Sequence, residues 1–196
     1  MQRHNPQFIT YYIIGDDMNK KLAKLEFFGF IFVSVLGVIM HFAYEWSNES
    51  KVIALISPIN ESPWEHLKLL FFPYVIYGVY EAIRLTDEKF NVYFAKLIGI
   101  LLAFFTTLAI YYIVLGATGR QIEWVSIASF FIGAAVGYLI SYNIINKSIG
   151  RGLINGLSIA GLLIIALLFF FLTHFPIKIP LFLDPQTLTY GIDKLM

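Results

Sequence analysis

The chain has 196 residues, of which 58% are hydrophobic, 17% aromatic and only 14% charged, and its mean hydropathy is +0.72. Soluble domains carry about a quarter charged residues, so this composition excludes them and reads as a membrane protein. A net charge of +1 with scattered Lys and Arg leaves no field for nucleic acid, and the absence of cysteine excludes disulfides, thiolate metal sites, iron–sulfur clusters and a Cys nucleophile.

Residues 1–24 form a polar arm. Within it Phe8 to Ile14 is a short β-prone or amphipathic piece, and Lys20, Lys21 and Lys24 sit just ahead of the first apolar run. That run, about 25–46, is too long for a signal-peptide core and no Ala-x-Ala-like site follows it, so it reads as a retained first span. In the loop 47–62, Val52 to Ile56 is apolar but too short to cross, so it dips into the interface or lies against the bundle. A second span covers about 64–83: Glu65, His66, Lys68 and Glu81 lie near its ends, and its centre, Leu69 to Tyr80, is apolar and aromatic. Pro73 is expected to kink it or open its backbone. Arg84 to Phe90 is a polar turn, with Glu81 and Arg84 read as a helix-end ion pair.

The third span covers about 93–115 and the fourth about 122–145. Gly133 and Gly137 in the fourth have GxxxG spacing, read as ordinary close helix packing. A basic turn, 146–151, leads to the fifth span, about 153–175. The tail, 176–196, carries Pro176, Pro180 and Pro185 and is expected to be extended or turn-rich.

The fold class is therefore an all-α polytopic transmembrane bundle of about five spans: an arm over 1–24, a bundle over 25–175 and a tail over 176–196. The basic residues of the arm (Arg3, Lys20, Lys21, Lys24) and of the turns at 84–90 and 146–151 fall on one side. By the positive-inside rule the N-terminus is cytoplasmic and the tail extracytoplasmic.

This topology gathers the polar residues that need explaining at the outer end of the bundle. His41 and Glu45 are four apart and share a helix face, about 6 Å from each other. Glu61 and Glu65 repeat that spacing, and His66 adjoins Glu65. His41, Glu45, Glu61, Glu65 and His66 are candidate ligands for a divalent metal such as zinc, iron or manganese, with Glu61 and Glu65 as acid/base groups. The plain alternatives are a helix-end His–Glu hydrogen bond, and a capping box at Ser62-Pro63-Trp64-Glu65 that would use Glu65 for backbone donors. Lys68 could pair with Glu65, His174 reads as an interfacial anchor, and Asp184-Pro185 as a turn initiator. Trp46, Trp64, Trp124, Tyr111 and Tyr112 fit an aromatic belt. No HExxH, phosphate loop, nucleophile elbow or haem attachment motif is present.

Three stretches carry a resemblance: His-Phe-x-Tyr-Glu-Trp-Ser (41–47), Ser-Pro-x-Asn-Glu-Ser-x-Trp-Glu-His-Leu-Lys (57–68) and Ile-Pro-Leu-Phe-x-Asp-Pro-x-Thr-x-x-Tyr-Gly-Ile (179–192). Together they resemble a family of uncharacterised multi-pass bacterial membrane proteins, over nearly the whole chain. In that family's tail a Gly follows the Thr where this chain has Leu188, so the tight turn expected there is open. The resemblance implies a location in the bacterial inner membrane and supplies no activity.

Two functions of different class follow. One is a metal-dependent membrane enzyme, hydrolase-like, acting on a lipid or small hydrophobic substrate that enters from the bilayer. The other is a small ion- or proton-coupled transporter; a non-catalytic scaffold is the third reading. The absence of an internal repeat and the placement of the polar groups at one end favour a one-sided site over a transporter.

Overall fold

The computed structural model describes residues 6–85, 91–150 and 152–191. Five α-helices follow in order: α1 (Pro6–Trp46), α2 (Pro63–Arg84), α3 (Val92–Thr118), α4 (Glu123–Asn146) and α5 (Leu153–His174). Two short 3-10 turns, Ile53–Leu55 and Pro180–Phe182, sit in the α1–α2 loop and the tail. Among the described residues there is no strand, only an isolated antiparallel bridge between Leu183 and Tyr190. Arg3, most of the 84–90 turn, Arg151 and Lys194 lie outside the described residues.

The helices sit where hydropathy places them, except at the start. The arm over Phe8 to Ile14, expected as a separate short piece, is part of α1, which runs unbroken for 41 residues, about 60 Å. Asp16 and Asp17 each stand four residues before a lysine, a spacing that supports a helix beyond the apolar run. α2 likewise continues through Pro73 as a single helix.

Four helical segments are long and apolar enough to cross a membrane: Met18–Trp46, α3, α4 and α5. Large apolar side chains such as Phe28, Phe105, Leu139, Leu157 and Leu167 are exposed along their flanks. Water would penalise so continuous an apolar surface, whereas hydrocarbon would not, and these helices fit a membrane protein. α2 is more polar, and its first half is the most enclosed part of the bundle, with Leu67, Leu70, Phe71 and Tyr74 buried.

Close packing of α3 on α4 sets the frame. A Cβ on Gly133 would lie 2.8 Å from the Ala103 carbonyl, and one on Gly99 would lie 2.7 Å from the Gly137 carbonyl. Only glycine lets these backbones approach so closely, as the GxxxG spacing implied. On α1, a Cβ at Gly29 would strike the Tyr138 ring of α4 at 2.4 Å, which pins α1 to the same pair. Aromatic packing of Phe169 on Trp64, Phe71, Phe72 and Phe104 seats α5 against α2 and α3.

Candidate functional site

The end of the bundle where α1 finishes and α2 begins is built from the loop between them. Ser62 caps α2, its hydroxyl accepting from the Glu65 N–H at 3.4 Å, and Pro63 takes the first helical position. The Ser62 N–H donates not to Glu65 but to Asn60 Oδ1 at 3.0 Å, so only half of a capping box forms. This frees the Glu65 carboxylate, which turns inward. Its Oε2 takes the Lys68 ammonium at 2.5 Å and the Ile59 N–H at 3.2 Å, and its Oε1 takes the Thr173 hydroxyl of α5 at 2.7 Å.

Lys68 is completely buried and also donates to the Ala54 carbonyl at 2.8 Å. The apolar piece around Ile53–Leu55 therefore lies against the bundle, held by a buried ammonium. The Ser57 hydroxyl ties the same loop to the Met40 carbonyl of α1. The next four residues deliver Glu61.

Glu61 meets both histidines. His66 Nε2 lies 3.3 Å from Glu61 Oε2 and 3.2 Å from His41 Nε2, and His41 Nε2 lies 3.9 Å from Glu61 Oε1. The three side chains are each about a third exposed and offer ligand atoms that all lie within 4.8 Å of one another. His66 Nδ1 sits 3.0 Å from the Ser62 carbonyl, which can only accept, so Nδ1 carries a hydrogen. That leaves the Nε2 lone pair pointed at a carboxylate and a second imidazole, an arrangement that calls for a positive charge between them. Where Nε2 also carries a hydrogen it donates to Glu61, and that hydrogen bond holds the Glu61 carboxyl below the usual glutamate range.

Beside the three residues is a cavity of about 380 Å³. Its wall is mostly apolar, from Val38 and Phe42 of α1, Leu69 of α2, Leu108 and Tyr111 of α3 and Ile127 and Phe130 of α4. The polar groups on it are His41, Glu61, His66, Thr107, Gln121, Glu123, Ser126, Ser129 and Gln186. Val38 and Phe42 of α1 and Ile127 of α4 line it and are exposed, so the cavity is open rather than sealed along these helices.

The tail closes over this end. Phe182 is buried against Trp64, and Asn60, one residue before Glu61, donates to the Gly191 carbonyl at 3.4 Å. Asp184 initiates a turn, accepting from the Gln186 N–H at 2.8 Å and the Thr187 hydroxyl at 2.6 Å. The tight turn forms although position 188 is not glycine: Leu188 adopts φ 57° and donates its N–H to the Asp184 carbonyl at 2.8 Å.

Of the five candidate ligands, then, the fold brings together His41, Glu61 and His66. Glu45 is exposed on α1 and stands outside that group, and Glu65 is engaged by Lys68, Thr173 and the Ile59 N–H. His174 bonds its own helix at the Phe170 carbonyl. Trp46 and Trp124 are exposed as belt residues would be, whereas Trp64 is packed between Phe169 and Phe182.

Sequence reasoning missed a second cluster at the opposite end. Lys96 of α3 lies 2.9 Å from Glu26 of α1 and 2.6 Å from Glu81 of α2, and all three are buried. Glu81 is thus held by Lys96, not by Arg84, which is exposed and stands over the Tyr80 ring. The signal was present: Glu26, Glu81 and Lys96 all stand within a few residues of the same end of the three spans 25–46, 64–83 and 93–115. Ionisable residues so placed pair with one another.

Comparison with curated proteins and with solved structures returned no match. Residues 16–192 match the family described as Family of unknown function (DUF6512), and the chain belongs to that family.

Proposed function

We propose that this is a five-span integral membrane protein, with α2 as the fifth span and its N-terminus cytoplasmic. Its activity is that of a metal-dependent hydrolase working at the outer leaflet. The observation that carries the reading is the convergence of His41 Nε2, His66 Nε2 and a Glu61 oxygen beside an open, mostly apolar cavity. Ligand atoms about 2.0–2.1 Å from a tetrahedral zinc stand about 3.3–3.4 Å apart, and the two shorter separations here, 3.2 and 3.3 Å, fit that geometry. Two His and one carboxylate also suit iron(II). Either metal would take three protein ligands and keep a position open toward the cavity for water.

The rest of the site supports the assignment. The Ser62 carbonyl orients His66 through Nδ1, as outer-shell partners of metal-bound imidazoles do. An apolar chamber open to the bilayer suits an acyl or isoprenoid chain, whose ester or phosphoester head would reach the metal. Glu123, on the same wall, is the free carboxylate placed to serve as a base, and Glu65 positions the loop that presents Glu61.

The test is elemental analysis of detergent-purified protein. Stoichiometric zinc or iron in wild type and in Glu45→Gln, lost in His41→Ala, His66→Ala and Glu61→Gln, supports the site and directs a screen of lipid esters and phosphoesters. A folded wild-type protein without metal, even after incubation with zinc or iron(II), overturns it and leaves a proton shared by His66 and Glu61.

A further inference from the structure

The buried cluster at the far end of the bundle has its own chemistry. Glu26 comes from α1, Glu81 from α2, Lys96 from α3, and Tyr138 and Ser141 from α4. Glu26 and His41 are fifteen residues apart on α1, as are His66 and Glu81 on α2, which separates the two clusters by about 22 Å. The far cluster is therefore no part of the histidine site.

Its charges do not balance. Two carboxylates face one ammonium, and all three groups are buried. Glu26 has both oxygens occupied, Oε2 by Lys96 at 2.9 Å and Oε1 by the Ser141 hydroxyl at 2.7 Å. Neither Glu81 oxygen accepts a hydrogen bond although the residue is 0% exposed: Oε2 is ion-paired with the Lys96 ammonium at 2.6 Å, and Oε1 has not even that.

A second orphan lies in the same layer. The Tyr138 hydroxyl is buried without a partner, and the Lys96 ammonium sits 4.6 Å from that ring's centroid. The neighbouring hydroxyls are used: Tyr74 donates to the Gly137 carbonyl at 3.0 Å and Tyr77 to the Leu25 carbonyl at 2.8 Å. Of the nearby cations, Lys24 and Arg84 are exposed, and α5 brings no charged side chain here. An unpaired buried charge costs several kcal/mol, and a hydrocarbon surround gives it no water to recruit.

We infer that the cluster is a binding site for one monovalent cation, H⁺ or Na⁺, held at Glu81 Oε1 on the Tyr138 side. The shared chemistry is a single positive charge small enough to reach a fully enclosed carboxylate oxygen. As a proton it makes Glu81 a carboxylic acid; as sodium it takes Oε1 as an anionic ligand and the Tyr138 oxygen as a neutral one. Either restores neutrality to the four-helix contact. The site stands whether or not the histidine cluster holds a metal.

The experiment uses the full chain in detergent. Thermal unfolding is followed while NaCl replaces choline chloride at constant ionic strength, and infrared spectra are taken in H₂O and D₂O, for wild type, Glu81→Gln and Tyr138→Phe. A saturable rise of the wild-type midpoint with Na⁺, absent in Glu81→Gln and weakened in Tyr138→Phe, identifies sodium. No response to Na⁺, with a deuterium-sensitive carboxylic-acid carbonyl band present in wild type and missing from Glu81→Gln, identifies a proton. Should Glu81→Gln fail to fold, loss of the sodium response or a displaced carbonyl band in Tyr138→Phe decides the same point. A wild-type protein showing neither response, or variants that reproduce it in both, overturns the site.

Discussion

Replacing Lys68 by Met tests the construction of the histidine end most directly. Methionine keeps the length and apolar bulk of the side chain and removes only the ammonium. Three contacts go with it: the 2.5 Å pair with Glu65, the bond to the Ala54 carbonyl at 2.8 Å and the longer one to the Ser57 carbonyl at 3.4 Å. What remains is a Glu65 carboxylate, 2% exposed, with only the Thr173 hydroxyl and the Ile59 N–H to compensate it. Breaking a buried pair from one side costs about 3–5 kcal/mol. At about 2–4 °C per kcal/mol for a chain of this size, the unfolding midpoint in detergent should fall by roughly 6–20 °C. The double variant Lys68→Met/Glu65→Gln leaves no bare charge and should recover much of that loss. Because the same ammonium anchors the loop that delivers Glu61, any metal held as proposed should be lost from Lys68→Met before it unfolds. A midpoint within about 2 °C of wild type would refute the reasoning, as would a double variant less stable than the single one.

The other predictions address packing, turn geometry, pH and coupling. Gly133→Ala drives a Cβ to 2.8 Å from the Ala103 carbonyl and should cost about 1–3 kcal/mol, whereas Gly116→Ala, with nothing within 4 Å, should stabilise α3 by up to about 1 kcal/mol; equal midpoints would contradict the α3–α4 contact. Leu188→Gly relieves an exposed residue at φ 57° and should stabilise the tail by up to about 1 kcal/mol, read as slower proteolytic release of the C-terminal segment. Since the Glu61 carboxyl is depressed by its hydrogen bond from His66, its contribution to stability is present above the ordinary glutamate value and lost as pH falls below it. Wild type should therefore lose more stability than Glu61→Gln between about pH 5 and pH 3, and parallel losses would argue against the pairing. Lys68→Met and Glu81→Gln, about 20 Å apart along α2, should add to within about 0.5 kcal/mol in the double variant, and a larger deviation would show that the two ends communicate.

Hydropathy placed α3, α4 and α5 to within a few residues because nothing but apolar length is needed to define them. The first half of α1 was hidden because a helix outside hydrocarbon is set by charge spacing rather than by hydropathy, and Asp16, Asp17, Lys20 and Lys21 supply that spacing. At the site, the four-residue spacing of His41 with Glu45 and of Glu61 with Glu65 suggested paired ligands from each helix. The fold chose otherwise because Glu61 precedes the Ser62 cap and lies on a loop, free to swing toward His66, while Glu65 lies inside the helix facing α5. The four-residue spacing does not distinguish those two glutamates; the Ser62-Pro63 cap does. Lys96 escaped because one lysine near the start of a long apolar run reads as an interfacial residue that reaches for water, and only the glutamates at the same depth of α1 and α2 turn it into a buried ion cluster.

The two clusters share α1 and α2 and differ in what those helices must tolerate. At the histidine end the three side chains are partly exposed, come from two helix ends and a loop, and border an open cavity, so a metal and a substrate of the proposed kind could enter without the bundle moving. At the other end Glu26, Glu81 and Lys96 are buried among four helices, so an ion held there would exchange only if α1, α2, α3 or α4 parted from its neighbours. The Gly29–Tyr138 and Gly99–Gly137 contacts beside that cluster leave no slack for a small shift. An enzyme needs only the first of these ends to be accessible and benefits from a rigid second. A transporter must open the second and link its opening to the first, which requires a coupling energy of about 1–3 kcal/mol between them. Additivity of substitutions at the two ends therefore separates the readings: independent ends fit the enzyme reading, with the far cluster a fixed support, and coupled ends fit the transporter reading, in which the two clusters would work as parts of one cycle.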